Sequence, residues 1–152
     1  MAKKTKIYLD TSVFGGFFDA EFEEHTKPLF ERITNGEFEL IFSTQIQDEL
    51  KAAPQKVKDL IPLIKSSFTH IVEPTDEAAA LAQEYINENV VGQTSYSDCV
   101  HIALATIHNA DYLISWNFKH IVNVQRIRGY NFINIKNGYH VLEIRSPREF
   151  AL

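Results

Sequence analysis

The stretch Lys6-Ile7-Tyr8-Leu9-Asp10-Thr11-Ser12 decides the fold, because an apolar run is followed directly by one carboxylate and two hydroxyl groups. The run Ile-Tyr-Leu favours a buried β-strand. A buried carboxylate without a partner is energetically costly, so Asp10 is predicted to lie at the carboxyl end of that strand. The next segment, Val13-Phe14-Gly15-Gly16, is predicted to open a tight turn.

Size and composition indicate one globular domain. The chain has 152 residues, of which 45% are hydrophobic and 12% aromatic, which is enough for a single core. No apolar run approaches the ~20 residues that span a membrane, and we expect the lysine-rich start to lead into a strand rather than to belong to a signal peptide. Cys99 is the only cysteine, so no internal disulfide forms and we expect a reducing, cytoplasmic location.

Charge is distributed unevenly along the chain. The net charge of −5 argues against a protein that coats nucleic acid through a general basic surface. Residues 1–114 hold nine Lys and Arg against eighteen Asp and Glu, whereas residues 115–152 hold six against two. An acidic body with a basic C-terminal quarter is typical of a carboxylate site beside a phosphate-facing surface, although solvated faces of mixed sign are the commoner explanation.

Strands and helices are predicted to alternate. The strands are expected at residues 6–9, Phe38–Phe42, Thr69–Val72, Tyr112–Ser115 and Phe132–Ile135. The helices are expected at Thr26–Asn35, after Ser43 or Thr44, between Pro54 and Pro62, after Thr75, at Ser95–Asn109 and at Phe118–Arg128. A loop at Val90–Thr94 is expected before the helix that begins at Ser95, and Gly129 is expected to end the last helix.

This alternation predicts an α/β fold in three layers, with helices on both faces of a mostly parallel five-stranded sheet. We predict the strand order 3-2-1-4-5 and one domain over residues 1–152. Its core is expected at about 6–135 and a tail at 136–152, whose segment Val141–Ile144 pairs or packs against the core.

Four oxygen-bearing side chains are predicted to converge at the carboxyl ends of the strands. Asp10 ends the first strand, and Glu49 lies on the helix that leaves the second. Asn117 follows the fourth strand, and Asp98 lies in the first turn of the helix that precedes that strand. Ligand sites of parallel sheets form at this edge, where the strand order reverses.

Carboxylate and amide oxygens in such a cluster suit Mg²⁺ or Mn²⁺, which position phosphates and activate water. Each residue also has a structural explanation when it is taken alone. Asp10 can be a turn residue, and Asp98 fits a capping box with Ser95. Glu49 can pair with Lys51 or Lys56, and Asn117 can cap the following helix. The convergence of all four favours the metal site.

Four segments resemble the motifs of PIN-domain nucleases. They are Ile7-Tyr8-Leu9-Asp10-Thr11-Ser12, Glu49-Leu50, Ser97-Asp98-Cys99-Val100-His101-Ile102-Ala103-Leu104-Ala105 and Leu113-Ile114-Ser115-Trp116-Asn117-Phe118. The resemblance spans about residues 6–135. It implies a PIN-like fold, and Mg²⁺ or Mn²⁺ ligated by Asp10, Glu49 and Asp98. It also implies hydrolysis of RNA by metal-activated water, and a VapC-type toxin that forms homodimers and is held inactive by an antitoxin.

The chain departs from the PIN pattern at Asn117, where many members have a fourth acid. The nearby Asp111 precedes its strand and is expected at the opposite edge of the sheet. An amide binds metal or metal-bound water without adding charge, so we expect at most one tight metal. The alternative is a catalytically weak or inactive PIN-like module that only binds RNA or protein.

Substrate contacts are predicted from residues that flank the four site residues. Thr11, Ser12 and Ser115 supply hydroxyl groups beside the acids, and Lys119 follows Asn117 closely enough to reach a phosphate. Further cations of the same quarter are Arg126, Arg128 and Lys136. A solvated basic helix explains them equally well. His101 and His108 share a helix face but are too far apart for neighbouring zinc ligands, so core or surface roles are expected.

Overall fold

The computed structural model describes residues 3–65, 68–89 and 96–151. Within them, the strands are β1 (Thr5–Leu9), β2 (Phe38–Ser43), β3 (Thr69–Val72), β4 (Tyr112–Ile114) and β5 (Glu143–Arg145). The helices are α1 (Thr11–Gly16), α2 (Glu23–Thr34), α3 (Thr44–Glu49), α4 (Gln55–Lys58), α5 (Leu60–Ile64), α6 (Asp76–Asn87), α7 (Tyr96–Ile107), α8 (Val124–Lys136) and α9 (Pro147–Phe150), with a 3₁₀ turn at Leu50–Ala52.

The sheet has the order β3-β2-β1-β4-β5, and each neighbouring pair is parallel. This confirms the predicted strand order. β1 lies at the centre, and its residues Ile7, Tyr8 and Leu9 are at most 1% exposed. A strand that is buried on both faces is typical of a parallel sheet covered by helices on each side.

Helices cover the two faces of the sheet in separate groups. Tyr8 pairs with Ile41 in register, so Phe42 points to the opposite face. Tyr8 contacts His101 of α7, and α6 and α8 pack on the same side. Phe42 contacts Phe14, and α2, α5 and α9 pack on that side. The predicted three-layer architecture is therefore confirmed.

The prediction of a fifth strand at Phe132–Ile135 is wrong, because this segment is the last part of α8. The apolar residues Phe132 and Ile135 are exposed, whereas Ile133 and Asn134 are buried. Asn134 is buried because its side chain hydrogen-bonds the Tyr85 hydroxyl and lies 3.3 Å from the hydroxyl of Thr106. These contacts with α6 and α7 orient the segment as a helix, a constraint that local hydrophobicity does not reveal.

The fifth strand lies further along the chain, at Glu143–Arg145, within the predicted tail. It pairs in parallel with β4, so the expectation that part of this segment pairs with the sheet is confirmed. The helix expected at Phe118–Arg128 instead begins after the cap Asn123 and continues through Gly129. The side chain of Asn123 accepts a hydrogen bond from the backbone of Arg126, which fixes this later start.

The segment after Asp10 also differs from its prediction, because Thr11–Gly16 forms α1 rather than a tight turn. Val13 and Phe14 are fully buried in this short helix, and that burial outweighs the low helix propensity of two glycines. The other helix boundaries shift by a few residues. Thr75 caps α6 as predicted, and Ser43 rather than Thr44 is the cap of α3. The predicted loop at Val90–Thr94 and the Ser95 cap lie outside the described residues.

Among the described residues, no helix is both long and apolar enough to cross a membrane.

Candidate active site at the carboxyl edge of the sheet

Asp10 is a buried carboxylate at the junction of β1 and β4. It is 3% exposed and occupies the N-cap position of α1. The Ser12 hydroxyl donates to Asp10 Oδ1 at 2.6 Å and accepts the backbone N–H of Trp116 at 2.9 Å. Burial raises the pKa of Asp10 to about 6, and the charge of Asp98 acts in the same direction. The fold therefore holds a carboxylate where ionisation is costly.

Asp98 and Asn117 meet at the same edge. Asp98 lies in the first turn of α7, and Asn117 follows β4. Asn117 Nδ2 donates to Asp98 Oδ2 at 3.2 Å, and Asn117 Oδ1 accepts the backbone N–H of His120 at 3.0 Å. Burial raises the pKa of Asp98, and nearby Glu49 raises it further. Asp98 and Glu49 are thus close enough to repel each other when ionised, and a bound cation would offset this repulsion.

Glu49 reaches the edge from the last position of α3 but is held by several donors. His101 Nε2 lies 2.8 and 3.1 Å from its two oxygens, Gln45 Nε2 donates at 3.0 Å, and the Thr11 hydroxyl also donates. Partial burial raises the pKa of Glu49, but the hydrogen bonds from His101, Thr11 and Gln45 outweigh it and lower the pKa. The alternative pairing with Lys51 is wrong, because Lys51 contacts Asp48 at 3.2 Å.

His101 is a site residue that sequence reasoning missed. It is 1% exposed, as expected for a core histidine, yet its ring lies between the Tyr8 hydroxyl and the Glu49 carboxylate. The sequence signal that could have revealed its role is that His101 is the one polar residue between Cys99 and Ala105.

Comparison with known proteins places this geometry in a family. The family model of the PIN domain matches residues 7–119. The chain belongs to the PIN domain family. PIN domains are generally nucleases. The matched span contains each of the carboxylates and the amide described above.

A solved structure supports the fold of this PIN domain. VapBC2 from Rickettsia felis, in a crystal structure with a DNA fragment from its promoter, matches with a TM-score of 0.55. The match covers 92% of this chain and 98% of that chain at 13% sequence identity, which is evidence for the shared fold alone. A comparison with curated protein sequences returned no match.

The hydroxyl residues predicted to contact substrate form part of the PIN-domain scaffold. Thr11 donates to Glu49, Ser12 donates to Asp10, and Ser115 accepts the backbone N–H of Asn117 at 2.9 Å. The hydroxyls of Ser12 and Ser115 are 3.4 Å apart. Lys119 is exposed two residues after Asn117. Asp111 accepts the backbone N–H of Lys6 at the opposite end of β1, as predicted.

The acids are not arranged as a closed metal cage. Within the described residues, no group of three or more His, Cys, Asp and Glu side chains forms a metal-holding cluster. Asp10 and Asp98 nonetheless offer carboxylate oxygens at one edge, and Mg²⁺ commonly binds through one or two carboxylates and several waters. The donor set of this PIN domain fits a metal held mainly by two acids.

Cys99 takes no part in nucleophilic chemistry. Its side chain is fully buried, and burial raises the pKa of its thiol to about 12. A thiolate is the reactive form, so this residue is inert at neutral pH.

Proposed function

We propose that this PIN domain is an endoribonuclease that depends on Mg²⁺ or Mn²⁺ and hydrolyses RNA phosphodiester bonds. The observation that carries the proposal is the meeting of Asp10 and Asp98 at the carboxyl edge, where burial raises the pKa of both acids. Burial of ionisable acids at this edge destabilises the fold, and acids with raised pKa values are typical of catalytic centres. Family membership supports nuclease chemistry rather than another use of these acids.

Asp10 and Asp98 would hold the metal directly, and Glu49 would contact it through water. Glu49 is assigned the indirect role because donors from His101, Gln45 and Thr11 already engage its oxygens. When bound, the ion offsets phosphate charge and lowers the pKa of water.

Residues of the chain prepare the site for this substrate. Ser12 and Ser115 fix the Asp10 carboxylate and the backbone after β4, and Asn117 orients Asp98. The hydroxyl groups of Thr11 and Ser12 donate their hydrogens to Glu49 and Asp10, so they hold the acids in place beside the position where a phosphate would be bound. Lys119 is exposed near this edge and would contact a neighbouring phosphate.

We further propose that the protein is the toxin of a toxin–antitoxin pair, acts in the cytoplasm and forms a homodimer. The shared fold with VapBC2 and the PIN family support the partner class. The test is inducible expression with and without the product of the adjacent reading frame. Growth arrest that the second product relieves is expected, and sedimentation analysis measures the dimer. Growth that continues without the second product would count against the toxin assignment.

A binding module without strong catalysis is the second candidate, and Asn117 favours it. The amide uses Nδ2 on Asp98 and Oδ1 on the backbone of His120, so it acts as a brace as well as a replacement for an acid. In that case RNA would bind to this edge with little turnover.

The decisive experiment is cleavage of a labelled single-stranded RNA with Mn²⁺, with Mg²⁺ and with EDTA. Cleavage with metal, none with EDTA, and a loss of more than about 100-fold in Asp98→Asn are expected. The matched control is Asp111→Asn, which replaces an acid at the opposite edge by the same amide and should cleave like the parent. Binding without cleavage in every metal would select the binding module.

Metal binding is tested separately by titration calorimetry. Asp10→Asn should abolish Mn²⁺ binding while the circular dichroism spectrum stays unchanged, because an amide still accepts the Ser12 hydrogen bond. A variant that binds Mn²⁺ like the parent would remove Asp10 from the ligand set.

A further inference from the structure

A continuous chain of hydrogen bonds crosses the site through His101. It joins one strand and two helices by side-chain contacts between buried or half-buried groups. The Tyr8 hydroxyl lies 2.5 Å from His101 Nδ1, and His101 Nε2 lies 2.8 Å from Glu49. The chain therefore runs from Tyr8 of β1 through His101 of α7 to Glu49, the last residue of α3.

Donor and acceptor chemistry sets the direction of this chain. An ionised carboxylate only accepts hydrogen bonds, so the hydrogen between Glu49 and His101 belongs to Nε2. A neutral imidazole that carries its hydrogen on Nε2 has an acceptor at Nδ1, and the Tyr8 hydroxyl is the donor in reach. Tyr8 thus selects the tautomer that presents a donor to Glu49.

Packing prevents the imidazole from leaving this position. Tyr8 is 0% exposed and His101 is 1% exposed, and their rings meet edge to face with centroids 5.6 Å apart. The Glu49 side chain is 27% exposed, so solvent competes for its carboxylate. The buried Nε2 donor of His101 therefore holds the partly exposed Glu49 side chain at the carboxyl edge of the sheet.

We propose that His101 is a positioning residue, which acts through Glu49 and whose Nε2–H tautomer is imposed by Tyr8. Thr11 and Gln45 complete the hold on the carboxylate, and His101 supplies its buried contact. The effect on cleavage rests on the proposed nuclease function, whereas the tautomer and the orientation of Glu49 do not.

Two amide substitutions separate a positioning role from a purely structural one. The amide nitrogen of Gln reaches the place of Nε2, so His101→Gln keeps a donor for Glu49. The amide of Asn reaches only the place of Nδ1, so His101→Asn loses that donor at similar polarity. His101→Gln should keep RNA cleavage within about 10-fold of the parent, and His101→Asn should lose about 10- to 100-fold more.

Equal loss in the two variants would overturn the proposal. The matched control is His108→Gln, because His108 follows the same helix but lies with Lys6 and His70 at the other end of the sheet. It should cleave RNA like the parent. Thermal unfolding establishes that each variant is folded. If His101→Asn does not fold, Tyr8→Phe is used in its place, because it removes the hydrogen bond to His101 Nδ1.

Nitrogen-15 NMR of the metal-free protein provides a readout that is independent of activity. The parent is expected to have His101 protonated on Nε2 and unprotonated on Nδ1. Tyr8→Phe removes the donor to Nδ1, so the spectrum should shift towards a mixture of tautomers. A parent protonated on Nδ1, or an unchanged spectrum in Tyr8→Phe, would overturn the inference. If the parent cleaves no RNA, the nuclease function fails while this measurement still decides the role of Tyr8 and His101.

Discussion

The amide of Asn117 donates to the carboxylate of Asp98 across 3.2 Å. The same amide accepts the backbone N–H of His120 at 3.0 Å and so caps the turn after β4. An aspartate at this position retains the acceptor for His120 but loses the donor for Asp98. Asn117 therefore braces Asp98 without adding a charge, and the proposed metal chemistry can be tested at this one residue.

We predict that Asn117→Asp raises Mn²⁺ affinity or the cleavage rate and lowers metal-free stability. Two facing carboxylates repel each other unless a cation lies between them, so the free energy of unfolding should fall by about 1 kcal/mol in EDTA. Calorimetry and thermal unfolding with and without Mn²⁺ measure both effects. Asn123→Asp at the cap of α8 is the control and should leave Mn²⁺ affinity unchanged. An unchanged affinity in Asn117→Asp would mean that Asn117 is only a brace.

The pKa of Asp10 predicts a pH-dependent stability. Burial raises this pKa from 3.8 to about 6, so the folded protein binds a proton more tightly than the unfolded chain. The stabilising contribution of protonated Asp10 is fully present below about pH 4 and is lost as the pH rises through 6. Without metal, Asp10→Asn should therefore be more stable than the parent at pH 7, by on the order of 2–3 kcal/mol.

Chemical unfolding in EDTA from pH 4 to pH 8 measures this difference. The gap between Asp10→Asn and the parent should shrink towards pH 4, and Mn²⁺ should narrow it at pH 7 by stabilising the ionised acid. A gap that does not change with pH would mean that the Asp10 carboxyl titrates normally.

The central sheet was predictable because its signals are local and strong. β1 and β2 are largely apolar runs with turn or cap residues at their ends, and β1 lies at the centre of the sheet. Parallel pairing then places every strand's carboxyl end at one edge. The convergence of Asp10, Asp98 and Asn117 follows from this topology without any knowledge of side-chain contacts.

The errors arise where tertiary contacts override local pattern. Asn134 is buried by hydrogen bonds from other helices, which turns an apparent strand into the end of α8. β5 is short and carries charged residues at both ends, with Ile144 as its buried centre, so its hydrophobic signal is weak. His101 was expected to have a core or surface role, and only the fold brings Tyr8 and Glu49 to its two nitrogens.

Gly16 provides a test of how α1 is fitted against the segment after β4. A Cβ atom at Gly16 would lie 2.7 Å from the Trp116 indole, which is fixed by a hydrogen bond to Thr26 at 2.8 Å. Gly16→Ala should destabilise the protein by about 1–3 kcal/mol through overpacking. Gly15→Ala has open space around the new methyl group and should stabilise the helix by about 0.5–1 kcal/mol.

Trp116 is the only tryptophan, so its fluorescence reports the displacement directly. An altered emission maximum in Gly16→Ala, with the parental spectrum in Gly15→Ala, is expected. If Gly16→Ala were as stable as Gly15→Ala, the Trp116 indole would have moved aside without a loss of folding stability.

Lys119 tests whether the basic C-terminal quarter contacts RNA. A cation bound to phosphate releases counterions, so each such contact contributes to the salt dependence of affinity. Lys119 is exposed two residues after Asn117, whereas Lys136 lies 3.8 Å from Glu88 at the end of α8 and serves as the matched control. RNA affinity of the parent, Lys119→Ala and Lys136→Ala is measured at several salt concentrations in EDTA. The log–log slope should fall by about 1 in Lys119→Ala alone. A slope equal to that of the parent would exclude Lys119 from the RNA-binding surface.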